Sequence, residues 1–169
     1  TGSGTAVLSG TVALAENEDY TAIAHGGANG YDLTLAALLD DNSAPAAGNG
    51  KVRFGHLAPF DPVLANTAAE IRTDSGALVA GPFLYGDIDS TYLELPAGDY
   101  DLKVVAAGGG AVLINLAPFT LNEGDILYAL AVGDGTNQGT NVFAYPTDLQ
   151  GFLLPQEAAY QYYLPVLRR

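Results

Sequence analysis

Hydrophobic and polar residues alternate along most of this chain with a period of two, and helical periodicity is nearly absent. From Gly4 to Leu14, the residues Ala6, Leu8, Val12 and Leu14 share one side, and Val7, Ser9, Thr11 and Ala13 share the other. That pattern predicts a strand. Tyr20 to His25 predicts a second, and Gly26-Gly27-Ala28-Asn29-Gly30 predicts the turn after it. Asp32 to Leu39 predicts a third, with Leu33, Leu35, Ala37 and Leu39 as its inward set. Further strands are predicted at 51–57, 68–73, 77–84, 90–95, 99–106, 111–119, 126–132 and 141–145. Turn signals at intervals of about 8–12 residues then point to an all-β fold, an antiparallel immunoglobulin-like β-sandwich.

Part of the chain repeats itself. Leu14-Ala15-Glu16-Asn17-Glu18-Asp19-Tyr20-Thr21-Ala22-Ile23-Ala24 aligns with Leu121-Asn122-Glu123-Gly124-Asp125-Ile126-Leu127-Tyr128-Ala129-Leu130-Ala131. Upstream of each stands the tripeptide Ala-Val-Leu, at Ala6-Val7-Leu8 and Ala111-Val112-Leu113. Only the second copy is preceded by a long run of further strands, so the first reads as the second half of a unit. The organisation expected is a partial β unit at 1–41, a linker at 42–50, a complete β-sandwich at 51–151 and a C-terminal extension at 152–169. A half unit leaves an apolar face and a sheet edge that something must cover.

The extension carries a candidate for that role. Tyr160, Tyr162, Leu164 and Val166 alternate with Gln161, Tyr163, Pro165 and Leu167, and Arg168-Arg169 follow. This is a detached strand with apolar side chains on both faces, and Pro165 limits full pairing to one side.

Val52-Arg53-Phe54-Gly55-His56-Leu57-Ala58-Pro59 resembles the opening of domain-of-unknown-function family 4397, which has the form V-R-x-x-H-x-S-P-D-A-P. The likeness continues through Leu84-Tyr85-Gly86-Asp87, Tyr92-Leu93, Leu95-Pro96-Ala97-Gly98-Asp99-Tyr100 and Leu121-Asn122-Glu123-Gly124-Asp125. It covers one full copy at about 51–150, preceded by the C-terminal half of another at about 5–41. The sequence departs from the family at Ala58, where the family has Ser, at Phe60-Asp61-Pro62, and at Leu64-Ala65-Asn66 in place of Val-Asp-Val. The resemblance implies a β-sandwich, secreted or at the cell surface and often in tandem, with no established enzymatic activity.

Composition narrows the choice of partners. The chain has 169 residues, 6 basic against 19 acidic, and a net charge of −13, which disfavours nucleic acid and anionic membranes. No window of 18 apolar residues occurs, so no membrane span is expected. The absence of Met suggests a processed product, and the localisation expected is extracellular or at the cell surface. With no Cys there is neither a disulfide framework nor a thiolate site.

Candidate chemistry is sparse. His25 and His56 have no nucleophile or second ligand spaced with them, and each is expected to donate to a backbone carbonyl at a strand end. Asp40-Asp41-Asn42, Asp87-Ile88-Asp89 and Asp99-Tyr100-Asp101 lack the oxygen spacing of a calcium loop and read as strand ends and caps. No Lys-Ser/Thr or helix follows Gly108-Gly109-Gly110, and no Ser has a nucleophile-elbow context. Neither catalytic residues, a metal nor a cofactor is assigned, and the chain is not expected to be an enzyme.

The expectation is an extracellular structural protein, a subunit of a filament or cell-surface appendage assembled head-to-tail by β-strand addition. Its partners are copies of itself. The donor strand is Tyr160, Tyr162, Leu164 and Val166, and the acceptor is Leu8, Val12, Leu14, Leu33 and Leu35. Two alternatives stay open. The strands of 1–41 pack onto 51–150 in one enlarged monomer, or the chain is a cell-surface adhesion module, with carbohydrate a conceivable ligand of its ten tyrosines.

Overall fold

The computed structural model describes residues 8–146 and the backbone of 152–153. Among them are thirteen strands: β1 (Tyr20–His25), β2 (Thr34–Leu39), β3 (Asn49–His56), β4 (Ala69–Thr73), β5 (Leu78–Phe83), β6 (Leu93–Pro96), β7 (Gly98–Tyr100), β8 (Leu102–Ala106), β9 (Val112–Asn115), β10 (Phe119–Leu121), β11 (Ile126–Val132), β12 (Asn141–Pro146) and β13 (Phe152–Leu153). The one helical element among the described residues is a 3₁₀ turn at Leu64–Thr67. The fold is all-β, and its sheets are largely antiparallel.

Two sheets form the body, one ordered β13-β12-β11-β3-β6 and the other β5-β4-β8-β9. The β3–β11 pair is parallel, with Lys51 opposite Ile126 and His56 opposite Ala131. Alternation along each strand puts one apolar row into the space the two sheets share. Leu102, Val104 and Ile114 of the four-stranded sheet lie in one core with Ala131, Val142 and Ala144 of the five-stranded sheet. Val52, Phe54, Phe83 and Leu121 form an adjoining cluster.

Each strand predicted between 51 and 145 is present, and two of them are divided. The segment at 99–106 breaks at Asp101, so that β7 pairs with β10 while β8 joins the four-stranded sheet. The segment at 111–119 breaks before Pro118, which has no N–H to continue a ladder.

The N-terminal part differs more from expectation. No strand forms at 8–14, the described part of the strand predicted at 4–14. An alternating segment becomes a strand only beside a partner, and none lies next to it among the described residues. β1 and β2 form a separate antiparallel hairpin, with Tyr20 opposite Leu39 and His25 opposite Thr34. Its inner face packs on the outer face of the five-stranded sheet, where Ile23 and Leu38 meet Leu57, Tyr128 and Leu130. The inward set of β2 is therefore the reverse of the expected one. Leu33, Leu35 and Leu39 are exposed, and Leu38 faces in. A shift of one residue in the pleat is enough for that inversion.

The hairpin makes a third layer, so β3 is buried on both faces. Val52 and Phe54 point into the core between the sheets, while Lys51 and Arg53 lie beneath the hairpin, only 3% and 6% exposed. Gly55 continues that outer row. A Cβ there would stand 2.8 Å from Leu130 Cδ2 and 3.0 Å from Ile88 Cγ1, so only glycine lets the layers close to this distance.

Candidate functional site

Buried cations need partners, and the end of β2 supplies them. Arg53 donates from Nη1 to the Leu39 carbonyl at 2.9 Å and to the Tyr128 hydroxyl at 3.1 Å, and from Nε to the Asp89 carbonyl at 2.6 Å. Tyr128 is fully buried, and its hydroxyl donates to Asp40 Oδ1 at 2.5 Å. Burial, then the hydrogen bond to Asp40, raises the Tyr128 pKa far above its ordinary value. Lys51 Nζ pairs with Asp41 Oδ2 at 2.9 Å. Hydrogen bonds from Ser43 and then from Lys51 bring the Asp41 pKa down to about 2. Asp40 and Asp41, read as a strand end, are thus the clasp that fixes the hairpin to the sheet.

The turn between β1 and β2 is fixed at the opposite end. Asn29 donates from Nδ2 to the Pro59 carbonyl, and His25 Nδ1 lies 3.0 Å from the Tyr85 hydroxyl. His25 was expected to bond a backbone carbonyl, but its partner is a side chain from a distant loop. His56 does meet the expectation. Its Nε2 lies 2.8 Å from the Thr67 carbonyl and donates to it, and Nδ1 accepts from the Ala58 N–H. Burial lowers the pKa of both histidines.

Between these two anchors a groove of about 730 Å³ runs along β1. Its wall is Tyr20 to Ala28, and its floor includes Tyr128, Leu130 and Val132 of β11 and Phe143 and Tyr145 of β12. No β2 residue lines it, so the groove lies on the β1 edge away from β2. That edge has no partner among the described residues. Asp40 N–H donates to the Asp19 carbonyl, which makes 19/40 a hydrogen-bonded pair and, by alternation, 21/38 and 23/36 as well. The backbone groups of Tyr20, Ala22 and Ala24 therefore point into the groove.

The far rim is shaped by Asp134. Its carboxylate accepts from the backbone N–H groups of Thr136, Asn137 and Gln138 and from Asn137 Nδ2. These bonds, the Gln138 one first, hold its pKa well below the ordinary carboxylate range. Asp87 Oδ2 accepts from Leu84 N–H and Asp99 Oδ1 from the Thr120 hydroxyl. Among the described residues no group of three or more His, Cys, Asp or Glu is placed to hold a metal.

The structure does not bring the expected acceptor residues together. Leu8, Val12 and Leu14 lie in the segment without a strand, and Leu14 is 65% exposed. Leu33 and Leu35 stand on the outer side of the hairpin, and none of the five lines the groove. The expected donor residues Tyr160, Tyr162, Leu164 and Val166 lie outside the described residues. The groove floor had a signal in the sequence. Ile126 to Val132 is apolar on both of its alternating faces, as is a strand covered on both sides.

No helix among the described residues is long and apolar enough to cross a membrane. No curated protein and no solved structure matches the chain. Residues 1–67 match the model of the family described as a domain of unknown function (DUF4397), the family that the sequence resembles, and the match spans the hairpin, β3 and the 3₁₀ turn.

Proposed function

We propose that this chain is an extracellular structural protein, the subunit of a filament or cell-surface appendage built head-to-tail by β-strand addition. The proposal includes an immunoglobulin-like sandwich for the two larger sheets, with the β1–β2 hairpin as the remaining half of a second unit. The observation that carries it is the open edge of β1 above an apolar groove. The two needs of a half unit separate here. The inner face of the hairpin is covered within the chain, whereas its β1 edge has no partner among the described residues. An edge backed by a floor of Leu130, Val132, Phe143 and Tyr145 offers both backbone hydrogen bonds and side-chain pockets.

Strand addition at that edge is strong enough to hold an assembly. Four large side chains entering the groove would contribute on the order of 6–12 kcal/mol before the cost of ordering the strand. An acceptor in one subunit and a donor in the next make a heterologous contact, which yields rings or open filaments. Light scattering and electron microscopy of the full chain, beside the chain lacking 158–169, test the reading. Multimers that vanish with the deletion are expected. Multimers that persist unchanged would remove strand addition by this segment.

A second reading has one observation of its own. Phe143 and Tyr145 stack at 6.3 Å with an interplanar angle of 19°, giving the groove a flat aromatic floor of the kind a sugar ring lies on. Saturable binding of an oligosaccharide by a monomeric chain would favour an adhesion module instead.

A further inference from the structure

Resting on that reading, we infer that the groove takes residues 160–166 of a second copy, and that the incoming strand runs parallel to β1. The direction follows from three features.

The first is which backbone groups face the groove. Tyr20, Ala22 and Ala24 offer their N–H and C=O groups to a new strand, while Ile23 points its side chain at the floor. The second is the donor pattern. Both rows carry apolar side chains, but Gln161 and Pro165 stand in only one of them, so Tyr160, Tyr162, Leu164 and Val166 face the floor and Pro165 faces away from it. In an antiparallel pair, residues directly opposite exchange both hydrogen bonds. An antiparallel donor in this orientation sets Pro165 opposite one of the groove-facing residues of β1, where its missing N–H leaves a carbonyl unpaired. In a parallel pair, each groove-facing residue of β1 bonds to the residues before and after its opposite number. Those are the even-numbered, floor-facing residues of the donor, and the Pro165 nitrogen then points to the outer edge, where nothing is lost. With Leu164 beside Ile23, the parallel strand lays Tyr160 to Val166 along 19–25, which covers the six residues of β1.

The third feature separates a second copy from the same chain. β1 passes along β11 from Tyr128, near its Asp40 end, to Asp134, which accepts from Asn29. β13 is antiparallel to β12, which is antiparallel to β11, so β13 runs in the same direction as β1. The chain thus leaves Leu153 toward the Gly26–Ala28 end of the groove. Turning back into its own groove from there gives the antiparallel strand that Pro165 disfavours. Entering it in the parallel sense would take two chain reversals within residues 154–159. A neighbouring copy carries no such constraint.

A chain without cysteine allows a direct test by disulfide trapping. Two double variants are made, Tyr20→Cys with Gln161→Cys and Tyr20→Cys with Leu167→Cys. In the parallel arrangement Gln161 lies beside Tyr20, and Leu167 lies six residues further along the donor, roughly 20 Å away, far beyond the ~7 Å Cα separation that a disulfide spans. Light scattering of both variants before oxidation checks that they assemble like the parent. The expected result is a ladder of covalent multimers, seen without reductant, from the Gln161→Cys pair alone. A ladder from the Leu167→Cys pair alone would overturn the direction and leave the filament reading standing. A cross-link within single chains would overturn both. If neither variant cross-links while assembly persists, this segment is not the occupant.

Discussion

The clasp beneath the hairpin predicts a sharp cost for one hydroxyl. Replacing Tyr128 by Phe keeps the ring against Leu57 and Leu130 but removes the donor to Asp40 Oδ1 and the acceptor for Arg53 Nη1. Tyr128 has no solvent exposure, so water does not replace either bond without opening the layer. Losing a hydrogen bond to a charged group costs about 1.5–3 kcal/mol. In a domain of this size each kcal/mol lowers Tm by roughly 2–4 °C, so a fall of about 3–12 °C is expected in thermal melts followed by circular dichroism. Asp40→Asn removes the charge from the same bond, and because the two groups act on each other the double variant should fall short of the sum by about 1–2 kcal/mol. Limited proteolysis supplies a second readout, since cleavage should move into 8–48 as the hairpin loosens. A Tyr128→Phe protein within about 0.5 kcal/mol of the parent, or strict additivity with Asp40→Asn, would refute the view that this bond holds the layer.

Two further outcomes follow from the same layering. Gly55→Val improves strand propensity, yet its side chain would meet Leu130 and Ile88 at 3.0 Å or less, so it should destabilise by about 1–3 kcal/mol in urea unfolding; a stabilised variant would show that the layers can part freely. Stability should also decline as pH falls below about 6.5, the ordinary histidine value. His25 and His56 are held neutral by burial when folded, so the unfolded chain binds the protons first and stability is lost as pH drops toward their lowered values. Asp41, Glu70 and Asp134, all lowered in the folded state, add their loss only below the ordinary carboxylate range of about 4. Melts of the parent and a His56→Gln variant between pH 7.5 and 5 check the first part, since the variant should show the shallower slope.

Alternation located the strands of 51–146 well because each of them pairs with a neighbour and buries one row of side chains. It misjudged 8–14 for the same reason: a period of two reports what a strand would bury, not whether a partner exists. The inverted face of β2 shows another limit. Leu33, Leu35 and Leu39 against Ala36 and Leu38 looks like an inward row on hydrophobicity alone, yet Leu38 faces the sheet. The position of the hairpin turned on Lys51, Arg53, Asp40 and Asp41, charged residues that a hydrophobic pattern reads as solvent-facing. Two successive outward cations, Lys51 and Arg53, on a strand whose other row is apolar were the available sign that something covers it. The groove could not be read from one segment at all, because its wall and its floor are about a hundred residues apart in sequence.

That separation has a consequence for how the chain folds. Asp40 and Tyr128 are 88 residues apart, so the clasp is a long-range contact whose loop entropy is lost before the bond repays it. The β1–β2 hairpin is local and can form early, but it has nowhere to dock until β3 and β11 lie side by side. A sheet without its hairpin would turn Lys51 and Arg53 to water, and charges on an open face discourage such molecules from joining face to face. The two cations that fasten the finished protein would thus also guard an undocked sheet.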